Sequence, residues 1–235
     1  MFSDKLLKPD WRTSVKKAIR TGMGEGLVEL GAQYSDVVVL TADLAESVRV
    51  REFAEAYPER FFDVGVAEQN MIGVAVGLSD SGFVPFAASY ATFSPGRSWE
   101  QIRVSGCLSS SNVKIIGSHG GVSSGVNGPS HQATEDIAIM RTLPNMVVIA
   151  PSDAMQCQSA VKASYAHNGP VYIRTTRPET SNFTKPTEFE IGKIYTYREG
   201  HDVTLAACGI QVWDCLKVAE ELSKIGIEAE VLNVS

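Results

Sequence analysis

Cysteine is scarce and scattered in this sequence, with four residues among 235 and no pair at CxxC spacing. That spacing offers neither a disulfide framework nor a zinc site, and it favours free thiols in a reducing cytoplasm. Long apolar runs are missing too: the longest, such as Met146–Ala150, are far too short to cross a bilayer. We therefore expect neither a disulfide-stapled secreted protein nor a membrane-spanning one. The cysteines are Cys107, Cys157, Cys208 and Cys215.

Clusters of positive charge are also absent. The 21 Lys and Arg residues are spread along the chain, and the formal net charge is −6. Proteins that bind nucleic acid or an anionic membrane electrostatically carry a basic patch, so we expect no nucleic acid and no membrane as partner. The segment Met1–Lys5 leads into polar residues with no apolar core of a secretory signal, which again favours a cytoplasmic protein.

What is present is a regular alternation of apolar strand-like runs and amphipathic helical stretches. Strands separated by helices pair in parallel through right-handed crossovers, which predicts an α/β fold with a parallel sheet flanked by helices on both faces. The predicted strands are Val37–Thr41, Phe61–Val66, Phe83–Ala88, Val113–Gly117, Met146–Ala150 and Val171–Arg174. The predicted helices are Trp11–Gly31, Val48–Tyr57, a helix from Glu68, Ser98–Cys107, Glu135–Leu143 and Asp153–His167.

A second, incomplete unit follows a polar connector over Lys185–Tyr197. It comprises a strand at Val203–Ala207, a helix at Gln211–Lys224 and a strand at Glu228–Asn233. One strand-helix-strand unit cannot bury both faces of its own sheet, so we interpret it as the opening of a second α/β domain. The predicted division is a first domain over residues 1–184, a linker over 185–200 and an incomplete domain over 201–235.

Several segments at the expected ends of strands carry unusual residues, and such ends are where open parallel sheets bind ligands. Taken alone they are weak evidence. A glutamate that opens a helix, as Glu68 does, usually only interacts with the helix dipole. His119 and His131 lack a third ligand at zinc-site spacing. The glycines of Gly22–Gly26 follow no strand, which argues against a dinucleotide loop.

The order of these motifs resembles the pyrimidine-binding domain of transketolases and deoxyxylulose-phosphate synthases. The resemblance runs through essentially the whole chain, and it is the ordered set rather than one motif that is specific. It rests on Thr41–Leu44, Phe62–Asn70, Gly82–Phe86, Tyr90–Phe93, Gly128–Gln132, Arg141–Met146 and Ala150–Asp153.

The resemblance implies a site for thiamine diphosphate. It assigns Glu68 to the carboxyl that faces the aminopyrimidine and drives its imino tautomer, which is acid–base catalysis. Tyr90 and Phe93 would form an aromatic slot for the pyrimidine, and Asp43 would contribute to cofactor binding. Transketolases often have a third aromatic residue in this slot, whereas this chain has Gly96, so the slot is either looser or completed by Arg97.

On the substrate side, the resemblance implies a funnel that binds a sugar phosphate through Arg20, Ser47, His119 and Arg177. Two arginines, a histidine and a hydroxyl suit a phosphate dianion. A solvated surface position is the alternative for Arg20.

Two further substrate contacts follow from the run Gly128–Gln132 and the residue before it. His131 matches a catalytic histidine that moves protons on the substrate hydroxyls. Asn127 stands where transketolases have an aspartate that binds the donor's C2 hydroxyl. An asparagine can still bind that hydroxyl, but without charge, which leaves the donor preference open.

The magnesium-binding Gly-Asp-Gly motif of such enzymes does not occur in this sequence. The resemblance therefore implies a partner chain, a transketolase N-terminal subunit, that binds the diphosphate and magnesium. It also implies a homodimer contact. The alternatives are a deoxyxylulose-phosphate-synthase-like subunit, a 2-oxo acid dehydrogenase β-like subunit and a non-catalytic assembly module with the same fold.

Overall fold

The computed structural model describes residues 1–235. Its strands are β1 (Lys16–Ala18), β2 (Val37–Thr41), β3 (Phe61–Asp63), β4 (Val84–Tyr90), β5 (Lys114–Ser118), β6 (Val147–Ile149), β7 (Val171–Arg174), β8 (Glu179–Ser181), β9 (Tyr195–Arg198), β10 (Val203–Ala207) and β11 (Ala229–Asn233). Its α-helices are α1 (Ile19–Gln33), α2 (Arg51–Ala56), α3 (Glu68–Asp80), α4 (Trp99–Gln101), α5 (Asp136–Arg141), α6 (Ala154–Ala166) and α7 (Gln211–Ser223). A π-helical segment, Ile102–Cys107, continues α4, and short 3₁₀ segments span Pro58–Arg60, Gly121–Asn127 and Pro129–His131.

The main sheet has six strands in the order β3-β2-β4-β5-β7-β6, and every neighbouring pair is parallel. The fully buried run of β2, with the sequence VVVLT, is typical of a strand covered on both faces. The predicted α/β fold with helices on both faces of a parallel sheet is confirmed.

Two apolar clusters fill the layers on the two faces of this sheet. The larger one packs α1, α2 and α6 against one face and includes Met23, Phe53 and Val161. The smaller one packs α3, the π-helical segment and α5 against the other face and includes Met71 and Ile102. Both faces of the sheet are therefore covered by packed helices, which hold the ends of its strands in place.

The first helix starts later than predicted, at Ile19 rather than near Trp11. The preceding residues form β1, which pairs antiparallel with β8. Trp11 is buried in the large cluster, and its carbonyl accepts a hydrogen bond from the indole of Trp213 in α7. The conformation of this segment thus depends on contacts with residues far along the chain, which the local pattern of apolar residues could not predict.

The C-terminal unit is a three-stranded sheet in the order β10-β11-β9, covered by α7. Strand β9 lies within the predicted linker over residues 185–200 and pairs antiparallel with β11. The interpretation of that segment as connector alone was therefore wrong for Tyr195–Arg198. None of the helices is long and apolar enough to span a membrane.

Candidate active site

The carboxyl ends of β4 and β5 meet at one edge of the main sheet. Tyr90, the last residue of β4, pairs in register with Ser118, the last residue of β5. His119 follows directly, and Phe93 lies three residues beyond Tyr90 in a turn. Parallel strands bring their carboxyl ends together, so this proximity follows from the topology.

Four rings pack together at this edge. Tyr90 and His119 have ring centroids 4.0 Å apart, and Tyr90 and Phe93 lie 6.2 Å apart with planes inclined by 18°. His131 presents its ring edge-on to both, at 5.9 Å from Tyr90 and 5.2 Å from Phe93. The arrangement gathers the predicted aromatic residues and both predicted histidines into one wall that suits a planar ligand.

His119 is the most constrained member of this wall. It is 2% exposed, its backbone lies in the left-handed region at φ 60°, and Ser118 Oγ lies 3.0 Å from its Nδ1. Burial, with further contributions from Arg20 and Arg177, lowers the pKa of His119 to about 3. The imidazole is therefore neutral near pH 7, with one nitrogen able to donate and the other able to accept.

Glu68 opens α3 and is buried, with 2% of its surface exposed. Its Oε2 lies 3.3 Å from Nη1 of Arg97, an ion pair whose arginine side chain is 52% exposed. The Arg97 guanidinium also lies over the Phe93 ring, 5.4 Å from its centroid. The carboxylate is thus linked to the aromatic wall through one half-exposed arginine.

Gly96 explains why no third aromatic side chain fits at that position in this backbone. A Cβ at Gly96 would come within 1.9 Å of the carbonyl oxygen of Thr92. The chain turns too tightly there for any side chain, and Arg97 lies next in sequence.

The predicted phosphate-binding residues also come together. Arg20, in the first turn of α1, donates through Nη1 to the carbonyl of Ser47. Burial lowers the pKa of Arg20, followed by the charges of Arg49 and Arg177. The charges of Arg20 and Arg177 also lower the pKa of His119. Nε of Arg20 is buried and has no partner within the chain, so this N–H is available to an anion.

The glycine-rich loop after β5 carries the remaining predicted substrate residues. Arg177 Nη1 donates to the carbonyl of Ser124 at 2.9 Å, which ties this loop to the end of β7. Asn127 ends the 3₁₀ segment of the loop and is partly buried. Ser130 Oγ lies 2.9 Å from Nδ1 of His131, a contact that holds one ring nitrogen of this histidine.

Asp43 stands apart from the other predicted residues. It is exposed, with a left-handed φ of 59°, and its backbone N–H donates to Asp63 Oδ1 at 2.9 Å. The same oxygen accepts from the N–H of Gly65 at 3.0 Å. Asp43 is therefore hydrogen-bonded to Asp63 at the end of β3 and not to a residue of the ring cluster.

A buried ion pair beneath the glycine-rich loop was missed in the sequence. Asp136 is 1% exposed and accepts from Tyr172 Oη at 2.7 Å and from Arg174 Nε at 2.9 Å. The Arg174 side chain packs directly against Gly120 and Gly121. The partners lie 36 and 38 positions apart, so no local pattern could have revealed them.

A cavity of about 590 Å³ lies elsewhere, between α5, β6 and β10. Most of its lining is hydrophobic, as with Met146 and Val148, and it lacks a cluster of charged or imidazole groups. We place the candidate site at the ring cluster instead, because the predicted aromatic residues and both predicted histidines converge there, and Arg97 links them to the buried Glu68. Nowhere does the chain gather three or more His, Cys, Asp or Glu side chains that could hold a metal ion.

Comparison with known proteins gives family matches over most of the chain. Residues 15–182 match the family model "Transketolase, pyrimidine binding domain", and residues 192–235 match "Transketolase, C-terminal domain". A Methanocaldococcus jannaschii protein named as a transketolase C-terminal section is 45% identical over 226 residues, covering 95% of this chain and 72% of that protein. The 6-deoxy-6-sulfo-D-fructose transketolase subunit of Clostridium sp. is 44% identical over 209 residues, covering 88% of this chain and 65% of that protein.

Among solved structures, a split-gene transketolase in an inactive beta4 tetramer matches with a TM-score of 0.84 at 46% identity. The match covers 92% of this chain and 71% of that one, so this chain is shorter than each of these three relatives. The family models, the sequence relatives and the shared fold agree: this chain belongs to the transketolase family, as a subunit of the split-transketolase type.

Proposed function

We propose that the chain is the pyrimidine-domain subunit of a thiamine diphosphate-dependent transketolase that transfers a two-carbon ketol unit between sugar phosphates. The observation that carries the proposal is the buried carboxyl of Glu68, linked through Arg97 to a wall of aromatic and imidazole rings. A desolvated carboxyl next to a slot for a planar ring fits an aminopyrimidine, which needs both a stacking partner and a proton donor.

The residues of this chain would bind and orient the pyrimidine half of the cofactor. Tyr90 and Phe93 supply the stacking surface, and Glu68 holds or donates a proton at the ring nitrogen that faces it. When bound, thiamine diphosphate supplies a nucleophilic thiazolium carbon. His131, edge-on to both aromatic rings, would move protons on the substrate hydroxyls, and Asn127 would bind one of those hydroxyls.

Arg20, Ser47, His119 and Arg177 would bind the terminal anion of the substrate. The arginines supply charge-assisted hydrogen bonds, and the neutral His119 supplies a hydrogen bond without a net charge. A terminal phosphate is the proposed anion. Because the Clostridium relative is a transketolase subunit for 6-deoxy-6-sulfo-D-fructose, a terminal sulfonate is the second candidate.

A partner chain would bind the diphosphate through magnesium. Two observations support this proposal. The sequence has no Gly-Asp-Gly motif, and the solved split-gene relative consists of beta subunits in an inactive tetramer.

Calorimetric titration tests the two-chain proposal. The chain alone should bind thiamine diphosphate with magnesium weakly, and adding a subunit with the Gly-Asp-Gly motif should produce tight binding and transfer of a ketol unit between sugar phosphates. Tight stoichiometric binding by the chain alone would contradict the requirement for a partner. Tight binding by the pair without any transfer activity would contradict the proposed reaction.

A further inference from the structure

Arg97 makes two contacts that resemble those of a bound ring. Its guanidinium is planar, carries N–H donors, lies over the Phe93 ring with its carbon 5.4 Å from the centroid, and donates to Glu68 Oε2 at 3.3 Å. An aminopyrimidine that stacks on Phe93 and shares a proton with Glu68 would need the same two partners. Guanidinium and aminopyrimidine are both flat and both present N–H groups in the ring plane.

We infer that Arg97 is a placeholder for the cofactor's ring. Its guanidinium contacts Glu68 and Phe93 in the free chain and moves away from both when an aminopyrimidine binds. The inference rests on the proposed cofactor site and adds to it a residue that competes with the cofactor. Glu68 is 98% removed from solvent by the fold and has no other cation beside it, so Arg97 is the group that compensates its charge in the free chain.

The position of Arg97 allows such a displacement. Its side chain is 52% exposed, and its backbone N–H is bound to the carbonyl of Phe93, so the side chain can swing into water while the turn stays in place. An ion pair with one half-exposed partner is weak, and a ligand can replace it at small cost.

Displacement also frees the oxygen of Glu68 that Arg97 contacts. Once the guanidinium has left, Oε2 of Glu68 can hydrogen-bond the ring of a bound pyrimidine. The exchange of Arg97 for the ring therefore replaces one planar N–H partner of Glu68 with another.

The test uses the full chain and a probe that needs only this half of the site, 4-amino-5-hydroxymethyl-2-methylpyrimidine. Ligand-detected NMR gives its affinity for the wild type, Arg97→Met and Arg97→Lys. Arg97→Met should bind the probe about two- to fivefold more tightly, the factor expected for loss of a half-exposed ion pair. Arg97→Lys, which keeps the cation, should return the affinity towards the wild-type value.

Two controls separate competition from a structural effect. Arg103→Met changes an exposed arginine of the adjoining π-helical segment and should leave the affinity unchanged. In the wild type, the Nε–H resonance of Arg97 should shift towards that of a solvent-exposed arginine as the probe is added, which a merely structural arginine would not show.

The outcomes distinguish this inference from the proposed function. If the probe binds and Glu68→Gln weakens it, but Arg97→Met binds equally or less tightly, the placeholder role is wrong and the cofactor site stands. If no variant binds the probe in a Glu68-dependent way, both the cofactor site and the placeholder role are wrong.

Discussion

Glu68 lies at the start of a helix and is almost completely buried. A catalytic role and a role at the helix dipole predict different effects of substituting it. If it acts on the cofactor, Glu68→Gln in the reconstituted enzyme should lower turnover about 100-fold or more, the range of general acid–base groups. Loss of a charge at the start of α3 should cost only about 0.3–1 kcal/mol of stability. Hydrogen–deuterium exchange at the cofactor's C2, measured with the melting temperature, separates the two effects.

Glu52 provides the matched control, because it is an exposed glutamate in the first turn of α2. Glu52→Gln should change the melting temperature by a similar small amount and leave both exchange and turnover unaltered. Equal exchange rates in wild type and Glu68→Gln would assign Glu68 to the helix dipole alone.

His119 should make stability depend on pH in a defined window. Its pKa is lowered to about 3 in the folded chain, against about 6.5 in an unfolded one. The unfolded state therefore binds more protons between these values, and stability present above pH 6.5 is lost as the pH falls. Urea unfolding at pH 7 and pH 5 should show about 2 kcal/mol of this loss in wild type.

His119→Asn should remove that part of the pH dependence, whereas substitution of the exposed His201 by Gln should leave it intact. His167, whose pKa burial also lowers, contributes in the same direction, so some slope should persist. A slope identical in wild type and His119→Asn would show that the imidazole is not buried as a neutral group.

At the scale of secondary-structure elements, the contact between α1 and α6 positions Arg20. Gly22 permits this close contact between the helices, because a Cβ there would lie 1.9 Å from the carbonyl oxygen of Ala154. Gly22→Ala should force the helices apart and destabilise the chain by about 1–3 kcal/mol. It should also weaken substrate binding, because Arg20 is two residues away on the same helix. Chemical denaturation and the KM for the phosphorylated substrate measure the two effects.

The control is another helical glycine with free space around it. A Cβ at Gly77 in α3 would have no neighbour within 4 Å. Gly77→Ala should therefore stabilise the chain by up to about 1 kcal/mol through helix propensity. If both substitutions changed stability alike, helix propensity rather than close packing would govern the Gly22 site.

At the scale of the whole molecule, we expect the chain to self-associate, with a dimer as the smallest unit. Exposed apolar side chains occur just before α3 and in and just after the π-helical segment: Val66 is 71% exposed, Val104 42% and Leu108 57%. The solved split-gene relative forms a beta4 tetramer, which supports the expectation. Light scattering at high concentration should give at least twice the chain mass, and Val104→Asp should reduce it. A monomer at all concentrations would contradict this prediction.

Much of the fold was predictable because its signals are local. Buried strands such as Val37–Thr41 and Val171–Arg174 form over the predicted residues, since a continuous apolar run of that length fits a strand covered on both faces. The segments that were missed are β1, β8 and β9, three short strands without apolar periodicity. They exist only because a partner strand far along the chain completes their hydrogen bonds.

The sequence by itself determined the family, the parallel sheet and the identity of most residues at its carboxyl edge. This was possible because apolar periodicity is a property of short stretches of sequence, and the order of the motifs can be seen along the chain. Only the tertiary structure decided that Arg20 and Arg177 approach His119, that Arg97 pairs with Glu68, and that Asp136 lies under the glycine-rich loop. These contacts join segments that are remote in the chain and depend on how deeply each side chain is buried. Both the burial and the distances are set only when the helices pack on the sheet.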